Sequence, residues 1–112
     1  MQSILITPTF LRQAQAVGLT DDELQDIAVT IADDPQVGDI IAGTGGARKL
    51  RHGHGSKGKS GGIRTIHYFG GEKVPVFLLA VYGKNAKSNL TKAERNRLAE
   101  ALPHIVDAYR KK

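Results

Sequence analysis

Cysteine and tryptophan are absent from this 112-residue chain, and aromatic residues make up only 5% of it. No apolar run reaches the ~18 to 20 residues that a membrane-spanning helix needs. The lack of cysteine excludes disulfides and thiol catalysis and is compatible with a reducing cytosol. The scarcity of rings argues against reading single-stranded nucleic acid on an aromatic stacking platform, since only Tyr68 and Phe69 fall near the basic residues. The first residues, Met1-Gln2-Ser3-Ile4-Leu5-Ile6, lack the basic flank and long apolar core of a signal peptide, so a cytoplasmic location without membrane contact is expected. A hydrophobic content of 40% over this length predicts a single globular domain spanning residues 1–112.

A further absence carries more information. No Asp or Glu occurs between Ile40 and Gly71, a stretch holding six Lys/Arg, three His and ten of the thirteen glycines. The remainder of the chain holds ten Lys/Arg against eleven acids, so the formal net charge of +5 originates in this one region. Clustered cations of this kind gain affinity for nucleic acid by displacing counterions from its phosphates. A solvated, flexible basic loop would have the same composition, so the arrangement of the residues must decide.

Reading along the chain, residues 2–7 suggest a short strand ended by Pro8, and Phe10 to Val17 a short helix stopped by Gly18. Thr20-Asp21-Asp22-Glu23 is a capping box whose acids also suit a helix N-terminus. Leu24, Ile27, Ala28 and Ile31 follow on one helical face, and Pro35 closes the helix. Three strands are expected next: Ala47 to Arg51, Ile63 to Phe69, and the almost continuously apolar Val74 to Tyr82, with the last two joined by a hairpin at Gly70–Lys73. A second capping box, Thr91-Lys92-Ala93-Glu94, opens a final helix whose inner stripe is Leu98, Leu102, Ile105 and Tyr109. The fold class is therefore α+β, a small antiparallel sheet with two N-terminal helices and a C-terminal helix packed on it.

Gly53-His54-Gly55-Ser56-Lys57-Gly58-Lys59-Ser60 matches the G-x-x-x-x-G-K-[ST] pattern in full. A phosphate-binding P-loop must also follow a strand and open a helix. Here Gly61-Gly62 and a β-branched strand follow instead, so the match is read as a product of glycine- and lysine-rich composition. No metal or other cofactor is expected either. His52, His54 and His67 have no Cys, Asp or Glu near them in sequence to complete a ligand set, and the surrounding cations would repel a metal ion. His52 and His54 are read as loop residues able to contact phosphate, and His67 as a strand histidine.

Strand parity sorts the cations. If Leu50 faces the core, Lys49 and Arg51 share the other face. If Ile63 and Phe69 face the core, Arg64 and Tyr68 turn outward. Tyr82 and Lys84 at the end of the apolar strand, with Lys87 beyond, can join Lys49, Arg51 and Arg64 on one open sheet face beneath the Lys57/Lys59 loop. Such a cluster can cleave RNA without metal. The 2′-hydroxyl attacks the adjacent phosphorus, the 5′-oxygen leaves, and a guanidinium fork holds the charge that builds on the nonbridging oxygens. The base stays open at this level. It could be a lysine whose charged form is disfavoured by its neighbours, or Tyr82, Tyr68 or a histidine acting as acid or base.

The segments Gly43-Thr44-Gly45-Gly46-Ala47-Arg48-Lys49-Leu50-Arg51, Gly62-Ile63-Arg64-Thr65-Ile66-His67-Tyr68 and Val81-Tyr82-Gly83-Lys84-Asn85, in this order between helices, resemble the RelE/HigB toxins of bacterial type II toxin–antitoxin systems. The likeness covers nearly the whole chain and is closest to the HigB-like branch. It implies a RelE-like fold and an mRNA endonuclease acting in the ribosomal A site. It also implies a cognate antitoxin with a helix-turn-helix domain, through which alone operator DNA would be met. The family's strand lysine/arginine pair falls on Lys49 and Arg51, its transition-state arginine on Arg64, and the cation after the last strand on Lys84 or Lys87. Tyr82 completes the catalytic set, and Arg48, His54, Lys57, Lys59 and Lys87 are assigned to RNA contacts. The tyrosine found near the start of the last helix in RelE has no counterpart in Asn89-Leu90-Thr91. The competing function is a noncatalytic basic module that binds nucleic acid with the same face.

Overall fold

The computed structural model describes residues 2–53, 62–83 and 89–110. The chain runs β1 (Ile4–Ile6), α1 (Pro8–Val17), α2 (Asp21–Asp33), β2 (Asp39–Ile40), β3 (Arg48–His52), β4 (Ile63–Tyr68), β5 (Val76–Gly83) and α3 (Lys92–Arg110). The strands form one sheet in the order β1-β5-β4-β3-β2. All neighbours pair antiparallel except β1 and β5, which run parallel. The expected α+β class with a predominantly antiparallel, RelE-like sheet is thus present.

Local chemistry accounts for the element ends. Pro8 both ends β1 and opens α1, because a proline at the first helical position has no N–H to leave unpaired. The Thr7 hydroxyl accepts from the Phe10 amide at 3.2 Å and donates to the Leu78 carbonyl at 2.8 Å, so one side chain caps the helix and ties it to β5. Both capping boxes form: Thr20 and Glu23 exchange bonds of 3.0 and 3.1 Å, and Thr91 and Glu94 bonds of 2.8 and 3.1 Å. The last helix continues through Pro103, which lies on its exposed side.

Helices cover both sheet faces. On one, Phe10 and Ala14 of α1 and Ile27 and Ile31 of α2 pack on Ile63, Val76, Leu78 and Val81. On the other, Leu102 and Val106 of α3 pack on Ile66, Phe77, Leu79 and Tyr82. Each of the Val, Leu, Ile and Phe side chains among these contributes roughly 1.5–3 kcal/mol when fully buried. The apolar β5 conceals a register shift at Ile66/His67. Before the shift Arg64 lies opposite Tyr82, and after it Tyr68 lies opposite Phe77. The irregularity switches β5 parity, so both pairs face α3 although 77 and 82 differ in parity.

The sheet face expected to be open is therefore only half open. Ile66 is fully buried and Tyr68 half-buried under α3, whereas the Lys49, Arg51 and Arg64 end protrudes beyond the helix cover. Several strand boundaries also move: β4 ends at Tyr68, one residue early, and β5 spans Val76–Gly83 and not 74–82. The basic strand is Arg48–His52 rather than 47–51, and a two-residue strand, Asp39–Ile40, precedes it. Gly38 makes that extra strand possible. Its φ of +90° is a left-handed value, and a Cβ there would collide with the carbonyl oxygen of Lys49.

Candidate active site

The site begins as a cross-strand row. Arg51 of β3 is paired with Arg64 of β4, which is paired with Tyr82 of β5, so the three side chains stand side by side on the α3 face. One row along, Lys49 is paired with Asp39 on β2 and with Ile66 on β4. The sequence expectation that Lys49, Arg51, Arg64 and Tyr82 share a face is realised in this register.

Arg64 is half-buried, and its Nε, fully enclosed, has no hydrogen-bond partner among the described residues. A buried donor left unmade costs on the order of 1–3 kcal/mol. Lys49 is held by its neighbour, its Nζ donating to Asn89 Oδ1 at 3.1 Å. Burial pushes the Tyr82 hydroxyl above the ordinary value of 10.0; the Arg64 charge pulls it partly back and Glu94 raises it further. At neutral pH the Tyr82 hydroxyl is therefore protonated.

Two clefts meet at Lys49. The smaller, about 210 Å³, is lined by Gly38, Asp39, Lys49, Leu50, Arg51 and Arg64. The larger, about 610 Å³, runs to the start of α3 between Lys49, Tyr82, Asn89, Lys92 and Arg95. Its size suits a nucleotide with its phosphate. Arg95 is fixed by donating from Nη1 to the Leu90 carbonyl at 3.1 Å. Sequence reasoning passed over Lys92, Arg95 and Asp39. The first two sit within the first turn of a helix that was read only for its apolar stripe, and Asp39 precedes the acid-free stretch by one residue. The signal available for Lys92 was its place inside the second capping box, which fixes where the turn points.

Other expected residues lie elsewhere. Arg48 alternates to the opposite face, where it stands across from His67 and donates to the Gly38 carbonyl at 3.1 Å. The His52 ring bonds the Thr65 hydroxyl at 2.9 Å, also on the α1/α2 side. His67 is completely buried, its Nε2 bonded to the Pro35 carbonyl at 3.1 Å. Burial lowers its basicity, the Pro35 bond opposes this, and the nearby Arg48 charge adds to the lowering. His67 is thus a neutral strut between the end of α2 and the sheet, in keeping with its reading as a strand histidine. His54, Lys57, Lys59, Lys84 and Lys87 lie outside the described residues, as does most of the 53–60 P-loop pattern.

The family model for the RelE toxin of the RelE/RelB toxin–antitoxin system matches residues 2–112. The chain belongs to this family, and it is a toxin whose partner is an antitoxin. Among the described residues no helix is long and apolar enough to cross a membrane.

Proposed function

We propose that this toxin is a ribosome-dependent endoribonuclease of the HigB-like branch. It cleaves mRNA in the A site by attack of the 2′-hydroxyl, with no metal in the reaction. The observation that carries the reading is the Arg51–Arg64–Tyr82 row, in which the two arginines line a cleft of about 210 Å³ and the enclosed Arg64 Nε–H has no partner among the described residues. A pentacovalent phosphorane carries more charge on its nonbridging oxygens than the ground state does. Fixed donors therefore bind it more tightly than they bind the substrate. Lys49, hydrogen-bonded to Asn89, supplies a third charge to the same oxygens. Tyr82, kept protonated by burial, gives its proton to the departing 5′-oxygen. Lys84, Lys57, Lys59 and Lys87 belong to the reading through the resemblance and through charge alone. The antitoxin is proposed to carry a helix-turn-helix domain.

The test is cleavage of a defined mRNA on programmed ribosomes in the presence of a chelator. Mapped breaks in the A-site codon, lost in Arg64→Ala and suppressed by the product of the neighbouring gene, are the expected result. Ribosome binding with intact mRNA would instead favour a noncatalytic basic module.

A further inference from the structure

The cations and Tyr82 leave one role unfilled, the base that takes the 2′-hydroxyl proton. We propose that Asp39 is that base, an inference that rests on the endoribonuclease reading above. Among the described residues, Asp39 is the single carboxylate lining either of the two clefts that meet at Lys49. It is exposed, and among the described residues its carboxylate forms no hydrogen bond or ion pair although Lys49, Arg51 and Arg64 line the same cleft. Its lone pairs therefore remain available to a substrate.

Its placement is specified rather than accidental. Gly38, at φ +90° and pressed against the Lys49 backbone, turns the chain into β2, and the register sets Asp39 opposite Lys49 on the α3 face. The alternatives among the described residues are poorly suited. The two histidines of the basic strands, His52 and His67, are bonded to Thr65 and Pro35 on the other face. Lys49 Nζ is already engaged with Asn89. Tyr82 is held protonated.

The sheet also separates the proton acceptor from the proton donor. Asp39 is on β2 and Tyr82 on β5, with Lys49 and Arg51 on β3 and Arg64 on β4 between them. Three strand spacings are about 14 Å, and Tyr82 lies two residues, about 7 Å, further along the strands, so the two backbones stand roughly 16 Å apart. Asp39 lines the smaller cleft and Tyr82 the larger, and on this proposal the phosphorus, with its attacking and leaving oxygens in line, sits where the two clefts meet at Lys49. The step balances. The O2′–H proton passes to the Asp39 carboxylate as the O2′–P bond forms. The P–O5′ bond breaks and O5′ takes the Tyr82 proton. The products are a 2′,3′-cyclic phosphate and a 5′-hydroxyl, and solvent returns both residues to their starting states.

A carboxylate that merely tempers the cations would predict different behaviour from a base. Single-turnover cleavage by wild type, Asp39→Asn, Asp39→Glu and Asp39→Ala is measured against ribosome concentration, with thermal melts to compare folding. For a base, Asp39→Asn lowers the saturating rate by ~10²-fold or more while ribosome affinity is unchanged or tighter. Asp39→Glu retains part of the rate, and added formate restores part of it to Asp39→Ala. Asp39→Asn cleaving at the wild-type rate beside an active wild type overturns the role of Asp39 alone. A wild type that binds ribosomes without cutting overturns the endoribonuclease reading, and the role of Asp39 with it.

Discussion

Two adjacent stretches of this chain carry opposite charge and are used in opposite ways. Residues 13–47 contain seven acids and no Lys or Arg, and residues 48–71 contain six Lys/Arg and no acid. The acids serve local structure. Asp21, Asp22 and Glu23 occupy the first turn of α2, where the helix dipole favours them, and Glu23 completes the capping box. The cations divide according to strand parity. Arg48 faces the α1/α2 side and braces the Gly38 carbonyl, whereas Lys49, Arg51 and Arg64 face the clefts. The sheet thus separates an acidic helix from a basic face, and a charge on this molecule has a role set by the face it occupies. Asp39 departs from the pattern as the one acid of the first stretch that lines the basic clefts.

The largest effect that would break this contrast is expected at Arg64. Arg64→Ala should lower single-turnover cleavage on the order of 10² to 10³-fold, because a preorganised donor to the developing charge is lost. Its melting temperature should stay close to wild type, since the removed Nε has no protein partner among the described residues. Arg64→Lys should recover little activity, because an ammonium cannot reproduce the planar fork. A folded Arg64→Ala protein that cleaves normally would return this cation to the structural class.

His67 sharpens the contrast from the other side, as a titratable group with a structural role. Its folded-state basicity lies below the ordinary value of 6.5, chiefly through burial. Between the two values the unfolded chain binds the extra proton, so this stabilisation is complete above about pH 6.5 and is lost as the pH falls. Urea unfolding at pH 7.5 and pH 5.5 should show lower stability at the acid value, and His67→Gln should flatten the difference. A stability that rises on acidification, and does so equally in both proteins, would contradict the neutral-strut assignment.

How much of this was legible follows from the kind of signal each feature leaves. Both capping boxes, the apolar stripe of α2, most of that of α3 (Leu98, Leu102 and Ile105, with Val106 buried where exposed Tyr109 was expected), and the sharing of a face by Lys49, Arg51 and Arg64 were readable, because each depends on short-range spacing. The two-residue β2 was not, since no periodicity exists over two positions and its cause is the contact of Gly38 with a strand ten residues on. The register shift was hidden because β5 is apolar at nearly every position, so neither parity was marked. That concealment also made the α3 face look open, whereas Ile66 and Tyr68 lie beneath the helix. Lys92 and Arg95 were missed for a third reason. They reach the cleft only through tertiary docking of α3, which brings a helix start against β2 and β3.

A moderate effect is expected at the acidic helix. Thr20→Ala removes the hydroxyl that accepts from the Glu23 amide at 3.1 Å, and should destabilise the fold by about 1 kcal/mol. Cleavage per folded molecule should not change, because α2 lies behind the sheet. Denaturant titration alongside activity at a temperature well below the transition separates the two quantities. Activity falling more than stability explains would mean that α2 contributes to the site.

The smallest effect should come from Asp26, where the two stretches approach each other. Asp26 and Glu23 line a cleft of about 400 Å³ with Arg51 and His52, so Arg51 borders both this cleft and the one it shares with Lys49 and Arg64. Glu23 is committed to the capping box, which leaves Asp26 as the acid whose removal changes charge without disturbing the helix start. Asp26→Asn should leave stability within about 0.5 kcal/mol of wild type. It should tighten ribosome association by a few-fold at low salt, because one competing charge near Arg51 is gone. The gain should vanish near 0.5 M salt, where screening shortens the reach of a surface charge to less than ~5 Å. Binding measured across that salt range tests this directly. Unchanged affinity at low salt would mean that Arg51 is insulated from α2, and weaker affinity would mean that Asp26 positions Arg51 for RNA instead of competing for it.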